Sequence, residues 1–528
     1  MVYIHKKNSG NYMKKFLYFT VFVSGMTTLA VEISASRLIG SVFGTSNLVW
    51  ASIIGLILIY LTFGYYLGGK VADKSPNFKT LYKILAWGSF FIGVVPYIAK
   101  PLLRFAADAF DGLQIGILAG SFITVLVLFS IPVTLLGMIS PFAIRMSIDD
   151  PKNAGNVSGK IYAVSTLGSF LGTFLPVLFF IPLIGTTNTF LVFSLFLLFI
   201  SIVGLIRSIG IKSTLPYFSL ILIILFLSAF IGSSSIKNSS GQIFEKESAY
   251  NYIQVLEKDG YYLLRLNEGQ GVHSIYKAGE YDFGGPWQQF LVAPFFYEDV
   301  VPNNIKHMAI IGLAAGTTAR QGIKVFPNVI IDGYEIDPSI VSVGKEFFGL
   351  NMTNLVIHIE DGRTGIRRSK IQYELIAVDA YRPPYIPWHM TTIEFFQIIY
   401  DHLTENGALA INVGRAPNDR RLIDGLFSTI STIFPSVYVM DIPGTFNSMI
   451  YATRNKTIQE NLNSNMVFFS TSNEIDPLLT TSMFKAWSNL QSDPINVQIY
   501  TDDNAPIEWI TNNMVLKYVF LNDQGIIQ

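Results

Sequence analysis

Ile310-Ile-Gly-Leu-Ala-Ala-Gly316, followed by Thr317-Thr-Ala-Arg320, is the stretch on which the reading of this chain turns. A short apolar run that breaks at glycine and continues at helix length predicts a strand, a tight turn and a helix. Glycine lets the backbone turn sharply and approach a ligand closely. The same pattern recurs downstream. Further β-rich runs at 329–335, 355–359, 374–379 and 408–413 are mostly separated by helix-length segments, and two late strands fit 437–441 and 449–453. Such alternation predicts a parallel, doubly wound α/β sheet with helices on both faces over residues 306–528. Ligands of such sheets bind beyond the carboxyl ends of the strands.

Those ends carry acids. The second strand closes on Tyr334-Glu-Ile-Asp337, with Glu335 placed 19 residues after Gly316. That is near the roughly 20-residue offset at which an acid reaches ribose hydroxyls. A carboxylate can accept from two hydroxyls at once. The third strand closes on Glu360-Asp-Gly362, where Asp361 can accept from an adenine amino group or simply cap the next helix. The fourth closes on Val378-Asp-Ala-Tyr-Arg-Pro-Pro384. Four successive ends bearing Gly312, Glu335, Asp361 and Asp379 predict a nucleoside site. Without a dinucleotide-type third glycine, the pattern points to a single nucleoside rather than a dinucleotide.

Upstream, Tyr252–Leu256 and Tyr261–Leu266 flank Glu257-Lys-Asp-Gly260, a hairpin signal, and His273–Tyr276 fits another strand. Residues 243–305 therefore read as a small β-rich domain. Residues 234–242, Ser-Ser-Ile-Lys-Asn-Ser-Ser-Gly-Gln, read as a linker.

Residues 1–233 are of another kind. Segments 16–36, 47–69, 82–100, 114–140, 161–183, 186–206 and 215–233 are each long and apolar enough for a membrane-crossing helix, which needs roughly 20 residues. The expectation is an α-helical membrane domain of about seven spans. With the N-terminus inside, the inner loops hold 13 basic residues (Lys6, Lys7, Lys14, Lys15, Lys70, Lys74, Lys79, Lys83, Arg145, Lys152, Lys160, Arg207, Lys212) and the outer ones 3 (Arg37, Lys100, Arg104). The excess of basic residues on the cytoplasmic side of membrane proteins favours this placement. Seven spans then set the second half on the opposite face, whereas an even number would return it. Small-residue pairs Gly64/Gly68 and Gly168/Gly172 suit close helix packing. The expected location is the cell membrane, multi-pass, with the side of the C-terminal domain open.

Composition agrees with this division. Of 528 residues half are hydrophobic and 14% are charged, against about 25% in ordinary soluble domains. Residues 16–235 hold 12 basic and 6 acidic side chains, and residues 236–528 hold 21 and 31. This excludes a disordered chain and a nucleic-acid binder that works by net positive charge. The absence of cysteine excludes disulfides and thiolate chemistry. His273, His307, His358, His389 and His402 show no paired metal-ligand spacing, so no metal is expected.

The sequence resembles the spermidine synthase (polyamine aminopropyltransferase) family in its membrane-fused bacterial form. The resemblance rests on an ordered set of segments. In the first half these are Val31-Glu-Ile-Ser-Ala-Ser-Arg37 and Tyr162-Ala-Val-Ser-Thr-Leu-Gly-Ser-Phe-Leu-Gly172. In the second they are Glu247-Ser-Ala-Tyr250, Glu268-Gly-Gln-Gly-Val-His-Ser274, Gly312–Gly316, Glu335-Ile-Asp337, Asp361-Gly362 and Thr501-Asp-Asp-Asn-Ala-Pro-Ile-Glu508. The family implies a small β domain on a methyltransferase-like (Rossmann-like) sheet and no permanently bound cofactor. It implies decarboxylated S-adenosylmethionine as co-substrate and an amine or polyamine acceptor, with a homodimer left open. By resemblance, Gly312–Gly316 would hold the donor's tail, Glu335 its ribose and Asp361-Gly362 its adenine, while Asp379 would face the attacking amine.

The chain departs from the family pattern at several points. Ala315 stands where an acid usually precedes the last glycine, and Arg382 replaces the second acid of Asp379-Ala-Tyr-Arg382. Trp287-Gln288-Gln289 stands for Tyr-His-Glu, and Val272, with Gln270 nearby, for a glutamine. A dicationic acceptor needs carboxylates to offset its desolvation, so the acceptor stays open. Two other readings follow: a methyltransferase using S-adenosylmethionine, and a sensor or transporter that binds a nucleoside without turnover. Trp388, Tyr381 and Tyr385, on a loop with Pro383, Pro384 and Pro387, are placed either to cover a ligand or to pack.

Overall fold

The computed structural model describes residues 2–43, 47–113, 117–231, 239–267, 271–380, 386–416, 418–472, 474–492 and 497–520. Two compact units divide it, residues 1–239 with 246–252, and residues 240–245 with 253–528.

The first unit is helical: α1 (Val2–Phe43), α2 (Asn47–Lys74), α3 (Phe78–Leu113), α4 (Ile117–Gly137), α5 (Ile139–Ser147), α6 (Ala154–Leu175), α7 (Ile181–Ile209) and α8 (Ile211–Ile231). α1 packs on α6, α2 on α4 and α3 on α7. The glycine pairs sit at two of these contacts. A Cβ on Gly64 would come 2.4 Å from the Thr134 carbonyl, and one on Gly168 or Gly172 2.0 Å from those of Phe22 and Met26. Backbones approach this closely only where the side chain is a hydrogen.

Among the described residues, six helical stretches are long and apolar enough to cross a membrane, one fewer than the sequence segments. Segments 161–183 and 186–206 lie in one helical run of 59 residues, Pro151–Ile209. At 1.5 Å per residue that run would measure about 90 Å, three times a ~30 Å hydrocarbon core. It breaks at Gly185, whose φ of 78° and ψ of 168° are not helical.

One end of the bundle collects the basic residues. Lys14 pairs with Asp149, and Arg145 donates to Asp73 at 3.1 Å. The Arg207 guanidinium lies 4.4 Å from the Phe16 ring centre. The Tyr82 ring lies 5.9 Å from Phe16, and its hydroxyl is 3.2 Å from that of Thr20. The beginnings of the apolar part of α1 and of α3 thus share an end with the terminus of α7.

The second unit holds two sheets. Strands β1 (Gln242–Glu247), β2 (Tyr252–Lys258), β3 (Tyr261–Leu266) and β4 (Ser274–Tyr276) pair in that order. The larger sheet comprises β5 (His307–Ile311), β6 (Ile330–Tyr334), β7 (Leu355–His358), β8 (Tyr373–Val378), β9 (Leu403–Gly414), β10 (Ser436–Asp441) and β11 (Asn447–Thr453). Its helices are α9 (Thr317–Val325), α10 (Pro338–Phe347), α11 (Gly362–Arg368), α12 (Ile393–Asp401), α13 (Arg421–Ile430), α14 (Glu460–Ser470), α15 (Pro477–Ser488) and α16 (Ile507–Phe520).

Across the sheet the order is β10-β11-β9-β8-β5-β6-β7. β7, β6, β5, β8 and β9 run parallel, as the alternation predicts. The two late strands run antiparallel to their neighbours. Only residues 442–446 join them, too few for the crossover that parallel pairing needs. Successive residues of β5 face opposite sides. Met308 and Ile310 enter a core with Leu291, Phe295 and Val325, while Ala309 and Ile311 enter another with Ile366, Phe395 and Ile423. A strand buried on both faces reads as a continuous apolar run, which is why 308–313 shows no alternation.

The strand order reverses between β5 and β8, so the chain leaves their paired carboxyl ends in opposite directions, the place where such sheets form a ligand crevice.

Candidate functional site

The crevice is built on the glycine turn after β5. Gly312 takes φ 87° and Gly316 φ 83°, values that favour glycine, and Ala314 is held at φ 48°. The N–H groups of Gly312 and Leu313 both donate to the Tyr334 carbonyl at 3.0 Å, which ties the turn to the end of β6. The N–H of Ala315 donates to Ser274 Oγ at 3.0 Å, and Arg320 donates to the carbonyls of Ala315, Phe348 and Ile275. β4 therefore braces the turn. Ala315 is wholly buried, in an apolar cluster with Ile340, Val343 and Phe348. That environment accounts for an alanine where the family carries an acid.

Glu335 reaches this turn from β6. One carboxylate oxygen accepts from the N–H of Ala314 at 2.9 Å and the other from Asp337 N–H at 3.0 Å. Its residue is 7% exposed. Burial pushes its carboxyl up to about 7, against the pull of those two N–H groups.

Asp379 reaches the same turn from β8. A Cβ on Gly312 would stand 2.5 Å from the Asp379 carbonyl oxygen and 2.7 Å from Ala380 N, so glycine alone allows the two strand ends to touch. Asp379 keeps some residue surface open, yet its carboxyl group is crowded by protein. Burial pushes that carboxyl up to about 7, opposed by a hydrogen bond from Asn412. Asn412 Nδ2 donates to Asp379 Oδ1 at 3.0 Å from the end of β9. Asn412 is 7% exposed, and its Oδ1 has no partner among the described residues.

Asp361 begins α11. Its Oδ1 accepts from Thr364 N–H at 2.9 Å, the capping role open to any strand-end acid. Its Oδ2 lies 3.3 Å from His389 Nε2. The His389 hydrogen bond, with help from Thr364, holds the carboxyl down at about 2. Gly362 packs on β5, where a Cβ would meet Ile311 Cγ2 at 2.4 Å. Gly316 lies on the far side of the turn, against Leu350.

Gly312, Glu335, Gly362 and Asp379 thus converge on the carboxyl end of β5, while Asp361 turns its free oxygen to His389. Sequence reasoning missed Asn412, whose signal is a lone amide in the apolar run 408–413, and the pairing of His389 with Asp361. It also gave no role to Asp502, which accepts two N–H groups of Arg363 at 2.7 Å each and the Thr392 hydroxyl at 2.7 Å. Gln288 donates to Asp282 at 2.6 Å. Gln289 is wholly buried with neither side-chain amide atom partnered among the described residues. Tyr381, Arg382, Pro383, Pro384 and Tyr385, together with Glu268, Gln270 and linker residues 234–238, lie outside the described residues. Trp388 is exposed.

Comparisons with known proteins fall on this region. A family model, "Spermine/spermidine synthase domain", matches residues 295–465. A "Probable polyamine aminopropyl transferase" of Bifidobacterium longum is 30% identical over 214 residues, which cover 40% of this chain and 47% of that protein. The human "eEF1A lysine and N-terminal methyltransferase" is 26% identical over 157 residues, 27% of this chain and 22% of that one. The crystal structure of a probable spermidine synthase from Corynebacterium glutamicum aligns at TM-score 0.38 and 16% identity, over 50% of this chain and 98% of that one. The chain spans about half the length of the curated aminopropyltransferases it matches. The matched segment contains Gly312, Glu335, Asp361 and Asp379, and through residues 295–465 this chain is similar to the spermidine synthase family.

Proposed function

We propose that this protein is a membrane-bound, spermidine synthase-like transferase. It moves an aminopropyl group from decarboxylated S-adenosylmethionine to an amine. The observation that carries the reading is the meeting of Glu335 and Asp379 at one glycine turn, where Glu335 holds the Ala314 N–H and Gly312 lies against the Asp379 carbonyl.

Each Glu335 oxygen has lone pairs beyond its N–H contact, so the ribose hydroxyls can donate to a carboxylate already fixed in place. Gly362 and the α11 terminus receive the adenine, with Asp361 and His389 on that side. The amine nitrogen attacks the carbon next to sulfonium. The carbon–sulfur pair leaves on sulfur as methylthioadenosine, and the new ammonium passes its proton to Asp379. With its carboxyl at about 7, Asp379 is partly ionised at neutral pH, and of the carboxyls at this turn it is the one placed to accept that proton. The sulfonium is a good leaving group, so the protein's part is positioning.

Methyl transfer is the second reading, favoured by the human methyltransferase relative. Purified protein incubated with decarboxylated S-adenosylmethionine and a panel of amines tests both. Methylthioadenosine supports aminopropyl transfer, and S-adenosylhomocysteine formed from S-adenosylmethionine supports methyl transfer. Tight nucleoside binding with neither product would overturn both in favour of a sensor.

The helical half is read as the membrane domain, residues 1–233, with 243–305 the small β domain and 306–528 the transferase domain. Seven crossings are supported by the bundle itself. The beginning of α3 and the terminus of α7 share one end, so an even number of spans separates them, and the run 151–209 must cross twice. The basic residues at that end support a cytoplasmic position for it. The second half then lies across the membrane, where the adenosyl donor has to be delivered.

A further inference from the structure

A cavity of about 440 Å³ lies in the helical unit. Lys79, Lys83 and Trp87, each four residues apart, line it from one face of the first turns of α3. Ile209 ends α7 on one side of it, and Ser213 and Tyr217 line it from the start of α8.

Three features set its chemistry. First, among the described residues neither lysine is ion-paired, whereas Lys14 and Arg145 at the same end of the bundle are paired with Asp149 and Asp73. Two uncompensated positive charges therefore share one wall. Second, Trp87 and Tyr217 are the residues that concentrate where hydrocarbon meets headgroups. Third, Ile209 and Leu220 continue the lining as apolar surface. A matching ligand carries a phosphate-like anion at one end and hydrocarbon at the other. Basic pockets between helices on the cytoplasmic side bind anionic headgroups in this way.

We propose that this cavity binds one anionic phospholipid of the cytoplasmic leaflet, its phosphate between Lys79 and Lys83 and its chains along Trp87 and Leu220. The inference rests on the membrane reading of this half and not on the transferase reading. Free phosphate satisfies the lysines alone and gains nothing from the aromatic and apolar lining.

The test uses the full chain in nanodiscs of phosphatidylcholine with a minor share of phosphatidylglycerol, followed by native mass spectrometry of the released protein and its retained lipid. Wild type should retain phosphatidylglycerol selectively, and inorganic phosphate should not displace it. K79Q/K83Q should weaken that retention roughly thirty-fold, at about tenfold per 1.4 kcal/mol for two lysines near a membrane surface. K152Q/K160Q, at the same face but outside the cavity, should retain it as wild type does. Equal retention by K79Q/K83Q, equal loss in both double variants, or displacement by phosphate would each overturn the site. A chain that does not enter neutral phosphatidylcholine discs would overturn the membrane reading with it.

Discussion

Asn412 donates to Asp379 across 3.0 Å, joining the ends of β9 and β8, and among the described residues it is the one donor that opposes the burial of that carboxyl. Replacing Asn412 with Ala removes the opposing hydrogen bond, so the Asp379 carboxyl rises above about 7. Turnover needs the ionised form, so the acidic limb of the pH–rate profile should move to higher pH. Asp379→Asn should lower turnover by roughly 10²–10⁴-fold while nucleoside binding survives. A profile unmoved by Asn412→Ala would remove Asp379 from the proton-accepting role.

Glu335 predicts a loss of binding rather than of rate. Hydrogen bonds to a charged group contribute about 1.5–3 kcal/mol each, so Glu335→Ala should weaken adenosyl-ligand affinity by at least tenfold in calorimetry. Unchanged affinity would exclude contact with the ribose.

The same two carboxyls govern stability against pH. Both sit at about 7 when folded, above ordinary values of 4.5 for Glu335 and 3.8 for Asp379. The native state then holds protons that the unfolded state has lost, so stability falls as pH rises from about 4 to about 7. Thermal unfolding of the full chain across this range should decline, and E335Q/D379N should flatten the decline. A rise in wild-type stability over that interval would contradict the burial of both groups.

Gly312 is held by two constraints at once, a φ of 87° and the Asp379 carbonyl 2.5 Å from any added Cβ. Gly312→Ala should destabilise by about 2–3 kcal/mol and abolish ligand binding by pushing the β8 end away. Denaturant melts and ligand titration measure the two effects, and wild-type values in both would refute the contact.

His389 is the first of the groups that hold the Asp361 carboxyl at about 2. His389→Ala should raise the Asp361 titration, observable by carboxyl NMR, and weaken adenosyl binding without altering the preference among amines. A changed amine preference would place His389 on the acceptor side instead.

Seven crossings predict opposite sides for the two ends of α8. Alkaline phosphatase fused after Gln528 should be active outside the cytoplasm, and the same reporter inserted at Gly210 inactive. Activity in the reverse order would return the second half to the cytoplasm and remove the delivery problem.

Much of this was legible in the sequence. The β-rich runs at 308–313, 329–335 and 374–379 announced strands, and 308–313, without a charged residue, announced one covered on both faces. Gly312, Glu335, Asp361 and Asp379 declared themselves by standing where those runs stop. The lysine asymmetry among loops was equally a matter of counting. Tertiary structure decided what counting cannot reach. Asn412 meets Asp379 and His389 meets Asp361 because strands and loops distant in sequence come to one crevice, and hydrogen bonds have no sequence period. Ala315 is explained only by the apolar cluster around it, and the break between the segments 161–183 and 186–206 is located at a residue, Gly185, only by its backbone angles. Local pattern reports which face a residue shows, whereas the partner on that face is set by how the chain returns.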